Sequence, residues 1–188
     1  TMPIGATGTT QTVNVGAAQG FAGVTNLEKS VLFFSLKVNS NDAGDGQVRG
    51  QLTSTSNLQF VRGNDTSLSA VTIRWYVVEF LGGVHVQRGS ASVLDTTNVT
   101  INTVPLGQSF VLMSCSVAGA GAAYDANDFF RARLTTSTNL EIAQLGTGSA
   151  STQTCDWQVV WYAGASVQRG TGTLASTALT SGAIAITA

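Results

Sequence analysis

Arg49-Gly50-Gln51-Leu52-Thr53-Ser54-Thr55-Ser56-Asn57-Leu58 is the most informative stretch of this chain, because it is nearly written twice. The second version is Arg131-Ala132-Arg133-Leu134-Thr135-Thr136-Ser137-Thr138-Asn139-Leu140, at an offset of 82. Within each version apolar and polar residues alternate. Val48, Gly50 and Leu52 share one face, as do Phe130, Ala132 and Leu134 in the second, while Arg49 or Arg131 lies opposite. A period of two places alternate side chains on the two faces of a strand, not on one stripe of a helix. The Ser/Thr/Asn run that follows has turn chemistry.

Beyond this stretch, the duplication extends over most of the chain. Trp75-Tyr76-Val77-Val78 returns as Trp157-Gln158-Val159-Val160, and Val86-Gln87-Arg88-Gly89 as Val167-Gln168-Arg169-Gly170. Ser30 and Ser35 match Ser109 and Ser114. The offsets differ by a few residues, and the differences fall in the Gly/Asn/Asp stretches 39–46 and 118–128 and in the Gly-bearing turns 81–83 and 163–164. Such length changes belong in surface loops. A shorter segment recurs three times, at 12–15, 98–102 and 183–187, and reads as the strand that opens each unit.

Strands are expected at about 12–15, 30–38, 46–54, 57–62, 69–81 and 84–90, with equivalents in the second copy; no window of helical spacing stands out. Gly82-Gly83 between two alternating runs predicts a hairpin joining 69–81 to 84–90. The expected fold is all-β: two tandem antiparallel β-sandwich units, 12–96 and 97–188, preceded by an extended N-terminal arm, 1–11. The arm is rich in Gly and Thr and is expected to be flexible alone and to add a strand to a neighbouring subunit.

Composition narrows the function. Charged residues are 10% of the 188, against a usual share of about 25%. Nine Lys+Arg against ten Asp+Glu leave a net charge of −1, with no basic patch for nucleic acid. Mean hydropathy is +0.20, which excludes charge-driven disorder. One His and two Cys cannot build the common zinc sites. No apolar run approaches the ~20 residues of a membrane span, and the start, Thr1-Met2-Pro3-Ile4-Gly5, shows no signal peptide, so a soluble product without membrane insertion is expected. With so few charges there is little repulsion between copies, so a homo-oligomer is expected.

No constellation fixes a chemistry, and the expectation is no catalytic residue, no cofactor and no metal. His85 is the lone imidazole; its counterpart is Ser166 and no nucleophile elbow accompanies it, so it reads as a polar strand residue. Glu79 and Glu141 could form a hydrolytic acid pair, yet their counterparts are Trp161 and Gln59. Asn39–Gly46 carries oxygen ligands at short spacing, as calcium loops do, but Asn, Asp and Gly are also turn residues, and the turn is preferred; the second copy offers Asp125, Asn127 and Asp128. Trp75 and Trp157 alternate with Val77 and Val159, which favours the core over sugar stacking, whereas Trp161 suits exposure or an inter-unit contact. Arg49, Arg131, Arg88 and Arg169 are retained between copies, and the preferred reading is a guanidinium fork on carbonyls or a carboxylate. Cys115 and Cys155 align with Leu36 and Ile73 and read as buried free thiols; a disulfide across the sandwich stays open.

With the repeat, the composition and the Trp-x-Val-Val…Val-Gln-Arg-Gly segments laid out, the chain resembles bacteriophage virion surface proteins of the tandem β-sandwich type, which decorate capsids or form tail parts. The resemblance implies a non-enzymatic structural protein, assembled in the host cytoplasm and located in the virion. It also implies association with itself, often as a trimer in such proteins, and with other virion structural proteins of a shell or tail. The alternative is a carbohydrate- or receptor-binding module of the adhesin type, extracellular or on a surface, whose partner is a host-surface glycan. A hydrolase ranks third.

Overall fold

The computed structural model describes residues 2–4, 11–40, 42–63, 69–117, 124, 128–144 and 153–172. The protein is all-β. Among the described residues there are twelve strands, one four-residue α-helix and three 3-10 turns. The strands are β1 Met2–Ile4, β2 Gln11–Val15, β3 Ser30–Val38, β4 Val48–Ser54, β5 Asn57–Arg62, β6 Val71–Glu79, β7 Val84–Val93, β8 Thr96–Thr100, β9 Ser109–Ser116, β10 Phe130–Thr136, β11 Asn139–Gln144 and β12 Gln153–Tyr162. No helix among the described residues is long and apolar enough to cross a membrane.

The strands form four antiparallel three-stranded sheets. Sheet I has the order β1-β6-β3, sheet II β2-β5-β4, sheet III β7-β12-β9 and sheet IV β8-β11-β10. Sheets I and II enclose one apolar cluster, in which Val15, Phe21, Leu32, Val48, Leu52, Leu58, Phe60, Val71 and Ile73 are buried. Sheets III and IV enclose another, which includes Val93, Ile101, Leu134, Leu140, Ile142, Trp157 and Val159. In both, the buried strand residues recur at alternate apolar positions, as in Val48 and Leu52 of β4 and Leu58 and Phe60 of β5, so burial follows the period of two. The turns 54–57 and 136–139 occupy matching places, and each is accompanied by a register shift in its hairpin.

The expected hairpin across Gly82-Gly83 does not exist. β6 pairs with β3 along its full length, whereas β7 leaves sheet I and pairs with β12 over ten residues, from Val93 opposite Gln153 to Val84 opposite Tyr162. Gly83 does turn the chain, at φ 74°. A turn signal specifies a change of direction and not the partner of the strand that follows. The strand after the turn lies over Trp157, and Gly89 allows this: a Cβ there would sit 2.7 Å from Cζ2 of the indole.

The N-terminal arm, 1–11, lies largely outside the described residues. Of the parts described, Met2–Ile4 pairs with Ile73, Thr72 and Val71 of the same chain, and Gln11 begins β2. The segment at 183–187 also lies outside the described residues.

Candidate functional site

A third apolar cluster lies between the two cores. Val31 of β3, Val84 and Val86 of β7 and Val160 of β12 are buried there, with Phe80, Phe110 and Leu112 packed around them. It belongs to a junction in which β3 and β4 of the first pair of sheets meet the outer surface of sheet III. β3 is an edge strand, so alternate backbone groups on its outer side face no strand. The Gln158 amide takes the place of one. Leu32 N–H donates to Gln158 Oε1 and Gln158 Nε2 donates to Leu32 O, both at 2.9 Å. Beside it Arg49 Nη1 donates to Asp156 Oδ1 at 3.0 Å and to Oδ2 at 3.2 Å. Ser90 Oγ donates to the same carboxylate, and Gly50 N–H to Ser114 Oγ at 3.0 Å. Asp156 and Gln158 are buried, although each points away from its own core. A cleft of about 440 Å³ runs along this junction, lined among others by Leu32, Phe34, Leu112, Asp156 and Gln158.

Arg88 makes a second bridge. It projects from β7, and its Nη2 donates to Leu27 O and Ser30 O, both at 2.6 Å, at the 3-10 turn Leu27–Lys29 that leads into β3. Burial pulls its pKa below the ordinary guanidinium value, and the Glu28 carboxylate opposes that. Arg49 and Arg88 are thus forks on a carboxylate and on carbonyls, the geometry for which arginine is suited. Their counterparts behave differently. Arg131 is half-exposed and lies 3.8 Å from Glu141, and Arg169 is exposed.

The remaining chemistry-bearing residues are not brought together. Glu79 closes the end of β6: it accepts from Thr25 N–H at 3.0 Å, from Asn26 N–H at 2.8 Å and from the Thr25 hydroxyl. The Thr25 hydroxyl, first among these, holds its carboxyl below the usual carboxylate range. Glu141 is on β11, paired with Arg133 Nε at 2.8 Å, and this pairing lowers its pKa likewise. Loop 39–46 is not a simple turn: Ala43–Gly46 forms one helical turn, N-capped by Asp42, whose Oδ1 accepts from Gly44 N–H at 2.8 Å. Asp45 is consumed by Arg62 at 3.3 Å and Ser69 N–H at 2.8 Å. The carboxylates that suggested a cation loop are therefore taken up by the chain's own donors. In the second copy Asp128 is buried, while Asp125 and Asn127 lie outside the described residues.

Trp157 is in the core, and Trp75 packs against the other core, edge-on to Phe21 at 5.8 Å. Trp161 stacks on His85 at 4.9 Å between ring centroids, with 17° between planes, and donates to Gln108 Oε1 at 3.1 Å. The pair borders a cleft of about 470 Å³ also lined by Gln87, Arg88, Asn102 and Trp157. Gln87 and the Asn102 backbone exchange two hydrogen bonds there.

The reading of Cys115 and Cys155 as free thiols is overturned. They form a disulfide with Cα atoms 4.0 Å apart, and they join adjacent strands, β9 and β12, not opposite layers of a sandwich. Leu36 and Ile73 are directly paired in the same way on β3 and β6. Sequence reasoning also missed the buried Arg62–Asp45 ion pair and the Asp156–Gln158 junction. Asp156 and Gln158 stand at outward positions of an alternating strand, where a polar residue ordinarily meets solvent. Arg62 shares the inward parity of Leu58 and Phe60, and its partner Asp45 lies in the 39–46 loop, so neither pairing is visible in the local pattern.

The junction leaves an uncovered counterpart on sheet I. Phe33, Tyr76 and Val78 are exposed, Tyr76 at 59%. They occupy the positions of Leu112, Gln158 and Val160, which the junction covers. Comparison with known protein families, with curated proteins and with solved structures finds nothing that matches this chain.

Proposed function

We propose that this chain is a non-enzymatic structural protein whose activity is assembly with itself, as a virion surface component decorating a shell or belonging to a tail. The observation that carries the reading is the exposed Phe33–Tyr76–Val78 surface on sheet I, whose counterpart on sheet III is buried against another part of the chain. Exposed apolar surface of this kind marks interaction sites. The low charge and the tandem sequence support the virion setting by resemblance.

In this reading the molecule is two β-sandwich units descended from one duplicated module. The correspondence of sheet I with III and of sheet II with IV supports that. The pairing of β7 with β12 supports a unit boundary in the turn at 80–83, ahead of the 96/97 division that the linear repeat suggests. Within the N-terminal arm, Met2–Ile4 contributes one short strand to sheet I of its own chain.

Light scattering from high dilution to high load tests the assembly. An oligomer whose mass falls on dilution, and falls further with Tyr76→Asp, is the expected result. A monomer at every concentration refutes it. A glycan-binding role is the second reading, favoured by the His85–Trp161 stack beside a polar cleft. Sharp selectivity for one glycan class on an array, lost with Trp161→Ala, would establish it.

A further inference from the structure

β6 is the central strand of sheet I, yet among the described residues one of its sides is paired only at one end. β3 covers one side from Val71 to Glu79. On the other side β1 reaches only Val71, Thr72 and Ile73, so among the described residues Arg74–Glu79 faces no strand. β12, the corresponding strand of sheet III, has no such gap: Asp156–Trp161 is filled by Ser90–His85 of β7. An edge that no described strand covers, beside exposed Tyr76 and Val78, is a template for another strand.

The chain carries a second version of the strand segment that fills this gap in sheet III. Val86-Gln87-Arg88-Gly89 lies on β7, where Gly89 makes room for Trp157. Val167-Gln168-Arg169-Gly170 follows β12 as Val86–Gly89 follows β6, and it is in no strand. Transferring the register of β7 on β12 sets Val167 opposite Val78, Gln168 opposite Val77, Arg169 opposite Tyr76 and Gly170 opposite Trp75. A glycine thus again meets an indole. The second copy also carries a turn of the kind whose carbonyls Arg88 uses. The 3-10 turn Leu106–Gln108 leads into Ser109, whose Oγ donates to Pro105 O, as Ser30 Oγ donates to Asn26 O. Val167 N–H is already bonded to Gly107 O at 2.7 Å, which holds the segment beside that turn.

We infer that Ser166–Thr171 of one copy adds as an antiparallel strand to the Arg74–Glu79 edge of a second copy. This rests on the self-assembly reading and names its mechanism. The recipient is not the donor's own sheet I: within one chain the second pair of sheets lies on the β3 side, Tyr76 is exposed, and among the described residues no strand of the same chain lies along Arg74–Glu79. Each copy then donates one strand and receives one, a head-to-tail contact that closes into a ring or extends as a filament.

Cross-linking tests the register. Cys115 and Cys155 are a closely spaced pair, so by the alternation of an antiparallel ladder Gln158 and Arg88 are one too, on the other side of β12. Tyr76 and Arg169 inherit that spacing. Tyr76→Cys and Arg169→Cys, prepared separately and mixed under mild oxidation, should give a disulfide-linked dimer that neither gives alone. Gln168→Cys in place of Arg169→Cys shifts the thiol by one residue to the other face and should lower the yield by about ten-fold. A cross-link confined to single chains carrying both substitutions would overturn the inference. So would the lack of any cross-link in a preparation that light scattering shows to be oligomeric, which leaves the assembly reading standing. A monomer at all concentrations would overturn both.

Discussion

Replacing Gln158 separates a structural junction from a fortuitous contact. Its amide makes two 2.9 Å bonds to the backbone of Leu32, which is 2% exposed, and Gln158 itself is 7% exposed. Gln158→Ala removes both bonds and orphans one N–H and one C=O. Each orphaned buried group costs about 1–3 kcal/mol, giving roughly 2–6 kcal/mol if the site stays dry. It does not stay dry, because Leu32 and Gln158 both line the 440 Å³ cleft and the truncated side chain vacates room for water. The expected loss for Gln158→Ala is therefore at the low end, about 2–3 kcal/mol. Gln158→Leu should cost more, by about 1 kcal/mol, since it keeps the volume, excludes the water and still satisfies neither group.

That order is opposite to the one expected of a merely hydrophobic site, where leucine stabilises. Denaturant unfolding at one fixed protein concentration measures it, with the disulfide intact and the slope compared among variants. Hydrogen exchange at the Leu32 amide gives the local readout and should accelerate in both variants. A Gln158→Leu protein as stable as the parent, with the Leu32 amide still protected, would contradict this account of the junction.

Three further outcomes follow from the same geometry. Replacing Cys115 and Cys155 by serine removes a cross-link with a sequence separation of 40, worth about 4 kcal/mol by chain entropy; Cys115→Leu with Cys155→Ile, copying Leu36 and Ile73, should recover part of it, read by thermal unfolding. Asp45→Asn should cost about 3–5 kcal/mol, because Arg62 is fully buried and loses the carboxylate charge beside it, while Asp45→Leu with Arg62→Met should cost far less, by denaturant titration. Glu79 has a folded-state pKa below its unfolded value, so its stabilising contribution is present above the unfolded value and drains away as pH falls through the folded one; Tm measured from neutral to acid pH should drop less steeply for Glu79→Gln than for the parent.

Much of the architecture is legible in the residues because the period of two and the turn residues are local properties. The strands expected at 30–38 and 57–62 are β3 and β5 to the residue. Partner choice is not local. Nothing around Gly82-Gly83 distinguishes a β7 that folds back on β6 from one that crosses to β12; what accompanies the second is distant, with Trp157 seated over Gly89 and the Leu27 and Ser30 carbonyls accepting from Arg88. The cysteines were hidden for a related reason. Alignment with Leu36 and Ile73 identifies two apolar positions, but only the register of β3 on β6 makes them neighbours.

Neighbours also separate what the two copies do. On the outer side of β12 stand Asp156, Gln158 and Val160, and on that of β6 stand Arg74, Tyr76 and Val78. The first set is buried with its polar groups matched to Arg49 and Leu32. If a preceding copy covers the second set in the same way, Arg131 takes the place of Arg49 and approaches Arg74, so the ion pair becomes a like-charge contact. The second contact is then more apolar than the first and electrostatically opposed. Salt should therefore strengthen assembly, since screening weakens the Arg–Arg repulsion and leaves apolar burial intact. Light scattering in increasing sodium chloride reads this directly, and an oligomer that dissociates with salt would show that charge attraction, not the apolar face and the donated strand, holds the copies together.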